Sequence, residues 1–153
     1  MAATARPLRF SADMASLIMQ PCSGVYSTEF TASLEAVRAA RLHVADVLTM
    51  WDVPEDLIDT ARLLTSELAT NAIIHGAAAD RKFTLEVRSF GCCLSIEVHD
   101  SSPNAPMVRT VTDDAEHGRG LLLVAEVSDS WGYYFQGGYK HVWLHLHVAS
   151  LGH

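Results

Sequence analysis

Residues 54–76 read P-E-D-L-I-D-T-A-R-L-L-T-S-E-L-A-T-N-A-I-I-H-G, and this stretch decides the architecture. Leu57, Ala61, Leu64 and Leu68 repeat at helical spacing, Pro54 suits a first turn with acids behind it, and Gly76 suits an end. The spacing predicts one long helix over about 54–75. Glu67, Asn71 and His75 fall at i, i+4 and i+8 and so share one edge of it over about 12 Å. A carboxylate can move a proton, and an amide oxygen is a hard ligand suited to Mg²⁺. From spacing alone the same three residues also read as a solvated polar edge.

Outward from this helix the elements come in pairs. Upstream, 32–51 predicts a second helix on Leu34, Val37, Arg41, Val44, Val47 and Leu48, preceded by a strand at 25–30. Asp52 is placed to cap the restart in W-D-V-P-E-D. Downstream, 82–90 and 92–99 read as a hairpin about Gly91. A long loop follows, to about 117, then an apolar helix opened by Gly118-Arg119-Gly120. Two last strands, about 130–136 and 140–148, turn at Gly137-Gly138. The order β, α, α, β, β, loop, α, β, β is not a βαβ alternation. It predicts an α+β two-layer sandwich, a mostly antiparallel sheet covered on one face by helices.

Residues 1–24 read as an N-terminal appendage and 25–150 as the domain proper. Phe10, Met14, Leu17 and Ile18 form one apolar helical face, with Ser11 as cap and Pro21 and Gly24 as terminators. That face suits either the domain's own surface or self-association.

The chain has 153 residues, 49% of them hydrophobic, which is enough for one core and excludes wholesale disorder. Lys and Arg number 11 against 18 Asp and Glu, a net charge of −7, which argues against nucleic acid as a direct partner. No apolar run is long enough to span a bilayer, and no secretory leader is seen. Three cysteines, two of them the adjacent Cys92 and Cys93, suit a reduced, cytoplasmic protein.

Two further places carry possible chemistry. Asp100 closes the strand I-E-V-H-D before S-S-P, where a carboxylate can accept from a ligand's amino group or simply form a turn. Gly118-Arg119-Gly120 offers free N–H groups and a guanidinium to an anion, or is an ordinary loop-to-helix junction. No P-loop, Rossmann fingerprint or nucleophile elbow is present. His141, His145 and His147 share a strand face but extend over about 20 Å, too far for one ion, and read as a surface stripe.

Taken in order, E-L-A-T-N-A-I-I-H-G at 67–76, D-S-S-P at 100–103 and H-G-R-G-L-L-L-V at 117–124 resemble the ATP-binding domain of the GHKL superfamily, the Bergerat fold. The chain is most similar to the anti-sigma-factor serine/threonine kinases of bacterial partner switching, in their small actinobacterial form. The resemblance covers about 25–148. It implies that Asn71 coordinates Mg²⁺ on the ATP phosphates, that Glu67 is the general base, and that Asp100 receives the adenine amino group. Gly118 and Gly120 match the lid-helix glycines, and about 104–117 would be the lid. His75, Gly76, Ser102, Arg119, Leu121 and His141 lie in the matched segments and count among the nucleotide-binding positions.

Two departures stand out. Ser102 replaces the glycine of D-x-G, and His141 in Tyr139-Lys140-His141-Val142-Trp143 replaces the threonine of G-K-T-V-W, whose hydroxyl helps hold a phosphate. The resemblance implies a cytoplasmic homodimer that binds ATP, phosphorylates a small antagonist protein and sequesters a sigma factor. The alternative is a degenerate module that sequesters a partner without phosphoryl transfer.

Overall fold

A computed structural model describes residues 24–75, 82–103, 105–106 and 119–148. The helical face expected at Phe10–Ile18 lies outside the described residues. The elements are β1 (Gly24–Thr31), α1 (Leu34–Met50), α2 (Glu55–His75), β2 (Lys82–Phe90), β3 (Cys93–Asp100), α3 (Arg119–Val127), β4 (Ser130–Gln136) and β5 (Tyr139–His147). The strands form one sheet in the order β1-β2-β3-β5-β4, and every pairing is antiparallel. The α+β two-layer sandwich is the observed architecture.

Alternation along the strands sorts the sheet into two faces. Phe83, Leu85 and Val87 of β2, Leu94, Ile96 and Val98 of β3, and Val142, Leu144 and Leu146 of β5 are buried against the helices. α2 contributes Ile58, Ala61, Leu64, Leu68, Ala69 and Ala72 to that core and packs on α1, α3, β2 and β3. It is the central helix, 21 residues and so about 30 Å long.

The inward stripe of α1 differs from the expected one. Ala36, Ala40, Val44 and Leu48 are buried, whereas Leu34 is 81% exposed. Close packing of α1 on α2 favours small side chains at the contact, so alanines take the place that hydrophobicity alone assigned to Leu34. Ser33 caps α1 by accepting from the Ala36 N–H at 3.0 Å.

Asp52 does not cap α2. It adopts a left-handed φ of 55° and helps to end α1, where the Val53 N–H reaches back to the Leu48 carbonyl at 3.0 Å. The Pro54 carbonyl then accepts the first bond of α2, from the Ile58 N–H at 3.0 Å. Gly24, expected to close the appendage, instead opens β1 opposite Ser89; a Cβ there would stand 2.7 Å from the Trp51 ring.

Candidate functional site

The sheet register brings three ends of chain to one end of the sandwich. Asp100, the last residue of β3, is paired with Phe83 at the start of β2 and with Lys140 at the start of β5. α2 leads into that same start of β2, with six residues between His75 and Lys82. α2 also packs against both β2 and β3. α3, which begins at Arg119, packs along α2 through an apolar face that includes Leu121 and Val124.

On α2, Asn71 is buried to 9% exposure at the margin of the core, one turn beyond Glu67. Glu67 is half-buried, and burial alone raises its carboxyl above the ordinary glutamate value. A carboxyl shifted upward is a better proton acceptor near neutral pH than a free one. Leu64 and Leu68 anchor this segment, so both polar groups project from a fixed helix.

Asp100 is 2% exposed and lies on the core face of β3. Its Oδ1 accepts from the Ser102 N–H at 2.7 Å, and its Oδ2 stands 3.4 Å from Lys140 Nζ. Both partners are themselves buried, Lys140 completely. The Ser102 bond is the turn geometry that a D-S-S-P stretch favours.

Lys140 is the residue that reading the sequence missed. Its signal was parity: it shares a face with Val142, Leu144 and Leu146, and a lysine on an apolar strand face must find a counter-charge.

His141 is directed elsewhere. Its parity is opposite to that of Lys140, and its Nδ1 lies 2.7 Å from Glu97 Oε1 on the face away from the helices. The sheet thus separates it from Asp100, because adjacent strand residues point to opposite sides. It is not part of an exposed histidine stripe either: its side chain is 12% exposed, with only His147 of the three fully on the surface. The side chains of His75 and Arg119 and all of Gly76 and Gly118 lie outside the described residues, as does the expected lid over about 104–117 except residues 105–106.

The donor chemistry at α2 suits a hard cation. An amide oxygen and a carboxylate one turn apart are the ligand types Mg²⁺ takes with water and phosphate oxygens.

The helix-covered antiparallel sheet is the architecture that the GHKL resemblance implies. Residues 30–146 match the histidine kinase-like ATPase domain, and the chain belongs to that family, whose nucleotide is ATP. No curated protein matches the chain. Among solved structures, it is similar to the crystal structure of the RsbU and RsbW domains of Rv1364c from Mycobacterium tuberculosis. The TM-score is 0.60 at 16% identity, over 82% of this chain and 32% of that one. At that identity the likeness is one of fold, and the chain spans about a third of that protein's length. No helix among the described residues is long and apolar enough to cross a membrane.

Proposed function

We propose that the chain is an ATP-dependent anti-sigma regulator. It transfers the γ-phosphoryl of ATP to a serine or threonine of a small antagonist protein, and it sequesters a sigma factor as a homodimer in the cytoplasm. The observation that carries this reading is the histidine kinase-like ATPase domain matched over residues 30–146, within which Asn71 and Asp100 are both buried polar groups. The fold likeness to a protein with an RsbW domain supports the same direction.

In this reading Asp100 accepts from the adenine amino group, while Lys140 and the Ser102 N–H hold the carboxylate in place. Asn71 holds Mg²⁺, which supplies charge neutralisation on the phosphates. Glu67 takes the proton of the attacking hydroxyl, a role that its raised proton affinity supports. Gly118, Arg119 and Gly120 present N–H groups and a cation to the phosphates.

A second reading is favoured by one observation. Asp100 already holds an internal cation, Lys140, in full burial. That arrangement also suits a module that sequesters its partner without phosphoryl transfer. Calorimetric titration of ATP with and without Mg²⁺ tests the site first. Mg²⁺-dependent binding that is lost in Asp100→Asn and Asn71→Ala supports it; no binding by folded protein overturns the nucleotide role. With an antagonist in hand, Glu67→Ala is expected to bind ATP and fail to transfer phosphate.

A further inference from the structure

On the face of the sheet away from the helices, four side chains from three strands meet at one oxygen. His99 of β3 and His141 of β5 are directly opposed partners, and Glu97 shares their face two residues before His99. Glu97 Oε1 lies 2.7 Å from Tyr134 Oη, 2.7 Å from His141 Nδ1 and 2.8 Å from His99 Nε2. The side chains of Glu97, His99 and His141 are 14%, 19% and 12% exposed.

A carboxylate oxygen has two lone pairs and cannot accept three well-directed bonds. His99 Nε2 is accordingly buried without a hydrogen-bond partner among the described residues, although the carboxylate is within reach. Each imidazole nitrogen can sit this close to the anion only with a positive centre between them, whether proton or metal.

We propose that Glu97, His99 and His141 bind a divalent transition-metal ion of the zinc class, joining β3 to β5. Their three ligand atoms all lie within 4.8 Å of one another. Two imidazole nitrogens and one carboxylate oxygen select zinc, cobalt or nickel over magnesium or calcium, which take oxygen ligands. Zinc–ligand bonds of about 2.0–2.1 Å place tetrahedral ligand atoms about 3.3 Å apart. The two oxygen–nitrogen separations, 2.7 and 2.8 Å, would open by roughly half an ångström.

Three protein ligands leave the fourth position to water. Any protons shared between the imidazoles and Glu97 pass to solvent as the ion enters. Tyr134 then acts as the outer partner that orients Glu97. A polar cleft of about 120 Å³, lined by Glu29, Lys82, Thr84, Ser101 and Tyr139, reaches His99 and provides access from solvent. The site uses no residue of the nucleotide end and does not depend on that reading.

The test is titration of the full-length, chelator-treated protein with Co²⁺ and then Zn²⁺, followed by calorimetry and visible absorption. One equivalent of Co²⁺ is expected to give d–d bands of a low-coordinate nitrogen–oxygen site, which Zn²⁺ abolishes. Tyr134→Phe should weaken binding roughly 10–100-fold, and His99→Gln, His141→Gln and Glu97→Gln by more than that. His147→Gln should bind as the unaltered protein does. Failure of the unaltered protein to bind, or stoichiometric binding by a folded His99→Gln/His141→Gln variant, overturns the assignment. If those variants do not fold, the imidazole NMR signals of the unaltered protein decide. Zn²⁺ should shift His99 and His141; shifts confined to other histidines would sink the proposal.

Discussion

Glu67 and Glu97 are the same residue type on opposite sides of one sandwich, and their environments drive them apart. Glu67 projects from the helical layer, where burial raises its carboxyl with nothing to offset it. Glu97, on the open face of the sheet, is more shielded from solvent, yet His99, Tyr134 and His141 hold it at about 2. Burial alone therefore does not set the proton affinity of a carboxylate; the donors aimed at it decide the sign. The covered side keeps a carboxylate able to take a proton. The open side keeps one that stays an anion and suits a cation.

The contrast can be broken experimentally, and the largest effects belong to the covered face. Phe83 is 2% exposed and stacks on Phe30 at 5.3 Å. Phe83→Ala is expected to cost about 3–5 kcal/mol in urea unfolding. Lys140→Met should come close to this, about 3–5 kcal/mol, because it removes the ammonium beside a buried carboxylate. Adding Asp100→Asn to that variant should recover part of the loss; no recovery would mean that the lysine acts through packing.

On the open face, Tyr134→Phe in metal-free protein should cost roughly 1.5–3 kcal/mol, since the phenol donates to an ionised group. A value near zero would show that Glu97 is satisfied by the two histidines alone.

Glu67→Gln sharpens the comparison through its pH dependence. The folded-state value of Glu67 is raised, so its contribution to stability is present below the unfolded value, near 4.5, and is lost as pH rises through the folded one. The glutamine variant should therefore gain on the parent as pH rises from near 4.5 through the folded-state value, and a constant difference across that window would refute the shift. Smallest of all, the exposed pair Lys82–Glu29, 3.4 Å apart, should contribute within about 1 kcal/mol, as Lys82→Ala would show.

Much of the fold was legible in local patterns. The long helix over 54–75, the hairpin about Gly91 and the Gly137-Gly138 turn each rest on periodicity or turn chemistry that acts within a few residues. Gly91, Gly137 and Gly138 all adopt the positive φ that such turns require, at 55°, 61° and 81°. The inward face of α1 was not legible, because Ala36 and Ala40 are chosen by the fit to α2 and not by their own hydrophobicity. Histidine parity on β5 was read correctly, but within that strand no carboxylate was present to complete a cluster. Glu97 and His99 arrive from β3 by cross-strand pairing, which no spacing along one strand reveals.

By itself the sequence determined the two-layer class, the polar edge of α2, and the order of the three segments that make this chain similar to an ATP-binding family. Those depend on neighbours in the chain, where helical and strand periods are set. Only the tertiary structure decided the rest. It paired Asp100 with Lys140 and turned His141 to the opposite face. It gathered Glu97, His99, Tyr134 and His141 about a single oxygen. The physical reason is register: in an antiparallel sheet, which residues from distant segments meet, and on which face, is settled by pairing between strands and not by either strand alone.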